Sequence, residues 1–99
     1  MERRAYKIKT IVVNEVEIDE VIIDLHVDKH SDHISDDLIL QLVAQLDHSQ
    51  NIPDDYEGGF QYFVSEISFE SKFYKMVWLL EDHKFYVGII TAFRDRRLE

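Results

Sequence analysis

The sequence predicts an α+β domain with elements in the order ββαβββ: a mostly antiparallel, twisted sheet with one helix packed on one face. Three observations predict this. Five segments alternate apolar with polar residues, or are rich in β-branched and aromatic residues, as half-buried strands are. One segment places Leu38, Ile39, Leu42, Val43 and Leu46 at helical spacing, three and four residues apart. The links between the last three strands are only a few polar residues long, which suits an antiparallel meander.

Tyr6 to Val13 reads as the first strand, with Tyr6, Ile8, Thr10 and Val12 alternating against Lys7 and Lys9. Asn14-Glu15 is read as a tight turn. Val16 to Leu25 reads as the second strand. Its apolar residues change parity between Ile18 and Val21, so a β-bulge is expected near Asp19-Glu20. His26 to His33 is polar and reads as irregular. Ser35 is a suitable helix N-cap, with Asp36 and Asp37 against the positive end of the helix dipole. Ile34 before the cap and Ile39 after it fit a hydrophobic staple. The helix should end near Asp47.

His48 to Gly59 reads as a loop because it is polar, holds the one proline, Pro53, and ends in Gly58-Gly59. Strands then follow at Phe60 to Phe69, Phe73 to Leu80 and Phe85 to Phe93. They are turned by Glu70-Ser71 and by Glu81-Asp82-His83. The middle one carries apolar residues on both faces (Phe73, Val77 and Leu79 on one, Tyr74, Met76, Trp78 and Leu80 on the other). It is therefore expected to be central and covered on both sides.

A chain of 99 residues leaves room for one domain, expected over residues 1–97. Leu98-Glu99 looks like the remnant left ahead of a purification tag. There is no cysteine, which excludes disulfides, Cys-ligated zinc and thiol nucleophiles. No apolar run is long enough to cross a bilayer, and Met1 to Arg4 does not start a signal peptide. A cytoplasmic location without membrane contact is expected. The net charge of −9 is unevenly spread: between Asn14 and Ser71 there are fifteen acidic residues and one basic residue, Lys29. The remaining basic residues lie toward the two ends of the chain.

Four constellations could carry chemistry. His26, His30 and His33, among Asp24, Asp28 and Asp32, are metal-ligand types that would share a face if this stretch were helical. A solvated polar loop explains them as well. Arg94 and Arg96, with Lys75 and Tyr86, could grip phosphate and move a proton; a charged tail paired with the acidic surface explains them equally. Aromatics interleaved on the late strands could stack on bases or simply fill a core. The carboxylates around Asp19, Asp36 and Asp54 suit solubility or a basic partner. No phosphate-cradling glycine loop, nucleophile elbow or dinucleotide fingerprint is present, and no cofactor is expected.

The stretch from Phe73 to Arg97 resembles the closing hairpin of small toxins of the RelE/ParE-like superfamily. The residues that carry the resemblance are Tyr74 to Trp78, the acidic turn at Glu81-Asp82, Tyr86 to Phe93, and Arg94 to Arg96. It implies RNA cleavage, with Arg94 and Arg96 on phosphate and Lys75 or Tyr86 in acid/base work. Two classes of function thus stand side by side. One is a non-catalytic interaction module that meets a protein partner through its acidic surface or a sheet edge. The other is a toxin-type endoribonuclease acting on mRNA, which requires Arg3, Arg4, Lys7, Lys9, Arg94 and Arg96 to form one basic patch.

Overall fold

The computed structural model describes residues 3–24 and 34–98. Its elements are β1 (Arg3–Val13), β2 (Val16–Asp24), α1 (Asp36–Ala44), β3 (Asp55–Glu57), β4 (Phe60–Phe69), β5 (Lys72–Glu81), β6 (Tyr86–Arg94) and a closing 3₁₀ turn (Arg96–Leu98). The six strands form one sheet in the order β1-β2-β6-β5-β4-β3. The α+β class and the single helix follow the expectation, but the sheet is mixed rather than antiparallel throughout. β2 and β6 run parallel, Glu20 opposite Tyr86 and Ile23 opposite Ile89. Parallel neighbours need a crossover connection, and here it consists of everything from α1 to β5. Both strands carry continuous β-branched runs, the pattern suited to the middle of a sheet.

The tight turns have a shared cause. Asn14 and Glu15 adopt φ of 50° and 67°, Glu70 and Ser71 φ of 51° and 68°, and Gly58 and Gly59 φ of 60° and 85°. Two successive left-handed residues make the turn whose twist matches that of the flanking strands. A side chain at such a position costs about 1–2 kcal/mol against sterics. Ser71→Gly relieves that cost but adds freedom to the unfolded chain. It is expected to raise stability by about 0.5–1 kcal/mol, read as a higher urea midpoint at unchanged slope.

The turn at Gly58-Gly59 also explains a short strand hidden in the expected loop. β3 pairs with β4, placing Asp55 opposite Tyr62 and Glu57 opposite Phe60. Three exposed residues, Asp-Tyr-Glu, are too short and too polar to show a strand period. The parity change in β2 is present, but the extra residues lie on the neighbouring strand. The β1–β2 register is irregular between Lys7 and Ile11, opposite Asp19. Asp19 donates its backbone N–H to Phe85 O at 3.1 Å, leaving β1 for the approach to β6.

Ser35 caps α1, its hydroxyl accepting from the Leu38 N–H at 3.2 Å. The helix lies along β1. Its first residue, Asp36, holds Arg4 and Tyr6, while after its end Asp47 accepts from the Val12 N–H at 2.8 Å. Ile39, Leu42, Val43 and Leu46 are buried with Ile11, Val13, Ile18, Val21 and Ile23 from the N-terminal hairpin and with Phe63, Tyr74, Met76, Trp78, Val87 and Ile89 from the other strands. At the centre Trp78 stacks on Phe63, centroids 4.2 Å apart, and donates its indole N–H to Ser65 Oγ at 2.9 Å.

β5 is central, as expected, but only one of its faces is covered. Tyr74, Met76, Trp78 and Leu80 are buried under the helix, whereas Phe73, Val77 and Leu79 are half-buried. Among the described residues α1 packs on the first face, and the closing 3₁₀ turn meets β5 near Phe73. The alternation of apolar residues on both sides of β5 reads the same whether the second face meets its own chain or another molecule.

Candidate functional site

The uncovered face is built by strand register. Two transverse rows cross all six strands. One runs Lys7, Glu20, Tyr86, Glu81, Phe60, Glu57. The next runs Ala5, Ile22, Gly88, Leu79, Tyr62, Asp55. Val77, Thr91 and Val64 follow, and beyond them Lys75, Phe93 and Glu66. Alternation of side chains along each strand places all of these on one surface. Its middle is apolar and aromatic, and its rim is charged.

Gly88 shapes this surface. A Cβ there would lie 2.8 Å from Leu79 Cδ1 and 3.4 Å from the Tyr86 ring, so only glycine lets Leu79 lean across β6. A cavity of about 140 Å³ opens beside it, lined by Ile22, Leu79, Phe60 and Tyr86 together with the charged Arg3, Asp24 and Glu81. Tyr86 donates its hydroxyl to Glu81 at 2.6 Å. Burial and that carboxylate push the phenol up to about 12. The sign is that of a raised acid: its contribution to stability is intact below the ordinary tyrosine value of 10 and is lost as pH climbs from there through about 12. In a spectrophotometric titration Tyr86 should be a late phenol to ionise, and Glu81→Gln should bring it down.

The residues singled out for chemistry do not converge. Lys75 lies opposite Phe93, at the Arg94 end of β5 and β6, whereas Tyr86 begins β6. Tyr86 and Arg94 are the two ends of β6, eight residue steps and roughly 25 Å apart at the usual rise. A phenol held protonated up to about 12 is also poorly matched to proton transfer near neutral pH. The terminal basic residues do not form one patch either. Arg4 points to the helix side and forks onto Asp36 through Nε at 2.7 Å and Nη2 at 2.9 Å. Arg3 lies on the open face. Lys7 is beside Glu20 at 3.9 Å, level with Tyr86 and so at the far end of the sheet from Arg94.

At the C-terminal end Asp95 is buried, 3% exposed, and accepts from Arg97 Nε at 3.0 Å and Nη2 at 3.1 Å. The Arg97 hydrogen bond holds the Asp95 carboxyl below its ordinary value of 3.8. A depressed acid stabilises the fold above the ordinary carboxylate value, and that part is lost as pH falls through the lower, folded value. Acid unfolding of Asp95→Asn should therefore be less steep below pH 4 than that of the native chain, measured by circular dichroism.

His26, His30 and His33 lie outside the described residues, and among the described residues no cluster of His, Asp or Glu suits a metal ion. A larger cleft of about 420 Å³ lies at the turn end of the sheet, between Asn14, Val16, Gln61 and the Glu81–Phe85 turn. Its Asp82 is tied to Tyr56 and Gln61 by hydrogen bonds. No helix among the described residues is long and apolar enough to cross a membrane.

No protein-family model matches the chain, and neither a curated protein nor a solved structure is found to be similar to it. The open face was not legible as a site in the sequence. The signal for it was the doubly apolar β5, which also fits a strand buried on both sides.

Proposed function

We propose that the chain is a non-catalytic interaction module that seats a protein partner on the open face of its sheet. One observation carries this reading: an apolar face four strands wide, opposite the one α1 packs on, where Val77 and Leu79 are half-buried and Val64 is exposed. From the strand spacing and rise it measures roughly 20 × 20 Å, on the order of 400 Å². Patches of that size are the largest found on monomers and often mark interaction sites. The dispersal of Arg94, Tyr86, Lys7 and Arg4 supports this reading over the endoribonuclease one, which needs them together.

The test is a photo-crosslinking amino acid placed at Val64, which is 45% exposed on this face, and for comparison at Gln41, exposed on the helix. In cells, covalent protein adducts should form from position 64 and not from position 41. An absence of adducts from position 64, or equal adducts from positions 64 and 41, overturns the reading. Discrete new mRNA ends in cell-free translation, lost with Arg94→Ala plus Arg96→Ala, would establish the ribonuclease in its place.

A further inference from the structure

We propose that the occupant of the open face is a second copy of this chain, packed sheet to sheet about a twofold axis that runs along the strands. This rests on the reading of that face as a docking surface and names its partner. The first row runs from a cation, Lys7 on β1, to a carboxylate, Glu57 on β3; the second runs from Ala5 to Asp55, and Arg3 lies one row further along β1. The β1 edge contributes Lys7, whose side chain is 78% exposed, and Arg3. The β3 edge contributes Asp55 and Glu57, both exposed. Closed pairs of identical subunits meet through the same patch on both, so only two simple face-to-face arrangements exist.

A twofold across the strands lays β1 over β1 and β3 over β3. Lysine and arginine then face their own copies, and so do the β3 carboxylates, an arrangement that costs energy wherever like charges are brought together. A twofold along the strands reverses the strand order and keeps the rows. β1 of one copy then lies over β3 of the other, setting Lys7 and Arg3 against Asp55 and Glu57. Lys7 and Glu57 share a row and so face each other directly, while Arg3 and Asp55 are one row apart, a distance the long arginine side chain spans. In the centre the same operation lays Gly88 opposite Leu79, small against large, and sets Ile22 opposite Tyr62.

Size agrees. The whole six-stranded face spans roughly 25 × 25 Å, on the order of 600 Å² in projection. A standard interface buries about 800 Å² of accessible surface on each partner, and relief from side chains closes most of that gap. The net charge of −9 opposes self-association at long range. Several of its carboxylates, Glu15, Asp37, Asp47 and Glu70, sit in turns or on the helix, off this face.

Sedimentation of the full chain across the micromolar range should give twice the 11.8 kDa monomer mass. Val64→Glu should yield a monomer with an unchanged circular dichroism spectrum. Lys7→Glu and Glu57→Lys, each acting twice by symmetry, should each weaken the dimer by about tenfold. The double variant should restore it. Rescue separates a contact between copies from the neighbouring Glu20, which Glu57→Lys leaves untouched. A monomer at every concentration overturns the second-copy proposal, and the docking-face reading then stands or falls on the adducts formed from position 64. A dimer indifferent to Val64→Glu, or one whose charge reversals do not rescue each other, overturns the arrangement.

Discussion

Trp78→Ala is expected to lower the unfolding free energy by about 3–5 kcal/mol, the cost of removing a large aromatic from a packed core. Trp78 is fully buried, stacks on Phe63 at 4.2 Å and donates to Ser65 Oγ. Truncation leaves a cavity between β4 and β5, an unsupported Phe63 ring and a hydroxyl without its donor. A domain of this size holds only about 5–15 kcal/mol in total, so the variant should sit close to unfolding at room temperature. Trp78→Phe keeps most of the stack and loses the indole donor. It should cost clearly less, and urea titration of the two variants separates cavity from hydrogen bond. An alanine variant as stable as the native chain would mean that this stack is not the centre of the core.

Asp36→Ala is expected to cost about 1–3 kcal/mol, toward the lower end because the ion pair is partly solvated. One carboxylate accepts both nitrogens of the Arg4 fork and the Tyr6 hydroxyl, and it also meets the N-terminal dipole of α1. The group thus fastens the helix to the first strand. The Asp36 hydrogen bond raises the Tyr6 phenol above its ordinary value of 10. That contribution is complete below pH 10 and is lost as pH rises through the folded value. The variant should therefore be destabilised at neutral pH and should lose less than the native chain on titration to alkaline pH. Asp36→Asn, which keeps an acceptor but not the charge, should fall between the two. Equal alkaline slopes in all three proteins would show that Tyr6 does not depend on this carboxylate.

Much of the fold was legible where structure is decided locally. Ser35, the two aspartates after it and the apolar stripe of α1 each act within a turn or two of helix, and the structure follows them. The Asn14-Glu15 and Glu70-Ser71 turns lie where polarity breaks the alternation. The parallel pairing of β2 with β6 was not legible, because periodicity gives a strand its faces but not its neighbour. β3 escaped because three polar residues have no period. The same limit applied to the site. Lys75 lies near the Arg94 end of β6, but that strand of nine residues places Tyr86, at its other end, roughly 25 Å from Arg94. The open face was invisible because an apolar side chain looks alike in sequence whether its own chain or another molecule covers it.

The parallel junction also bears on how the chain acquires its structure. Among themselves, β3 through β6 join only neighbours in sequence, across turns of a few residues, so those loops close at little entropic cost. The junction of β2 with β6 brings together segments roughly 65 residues apart. The two hairpin systems can each gather early, while their union must wait for a large loop to close. The barrier to folding should then lie at that seam. Shortening a side chain there, as in Val21→Ala or Val87→Ala, should slow refolding, whereas changes at the β3–β4 end should act mainly on the rate of unfolding.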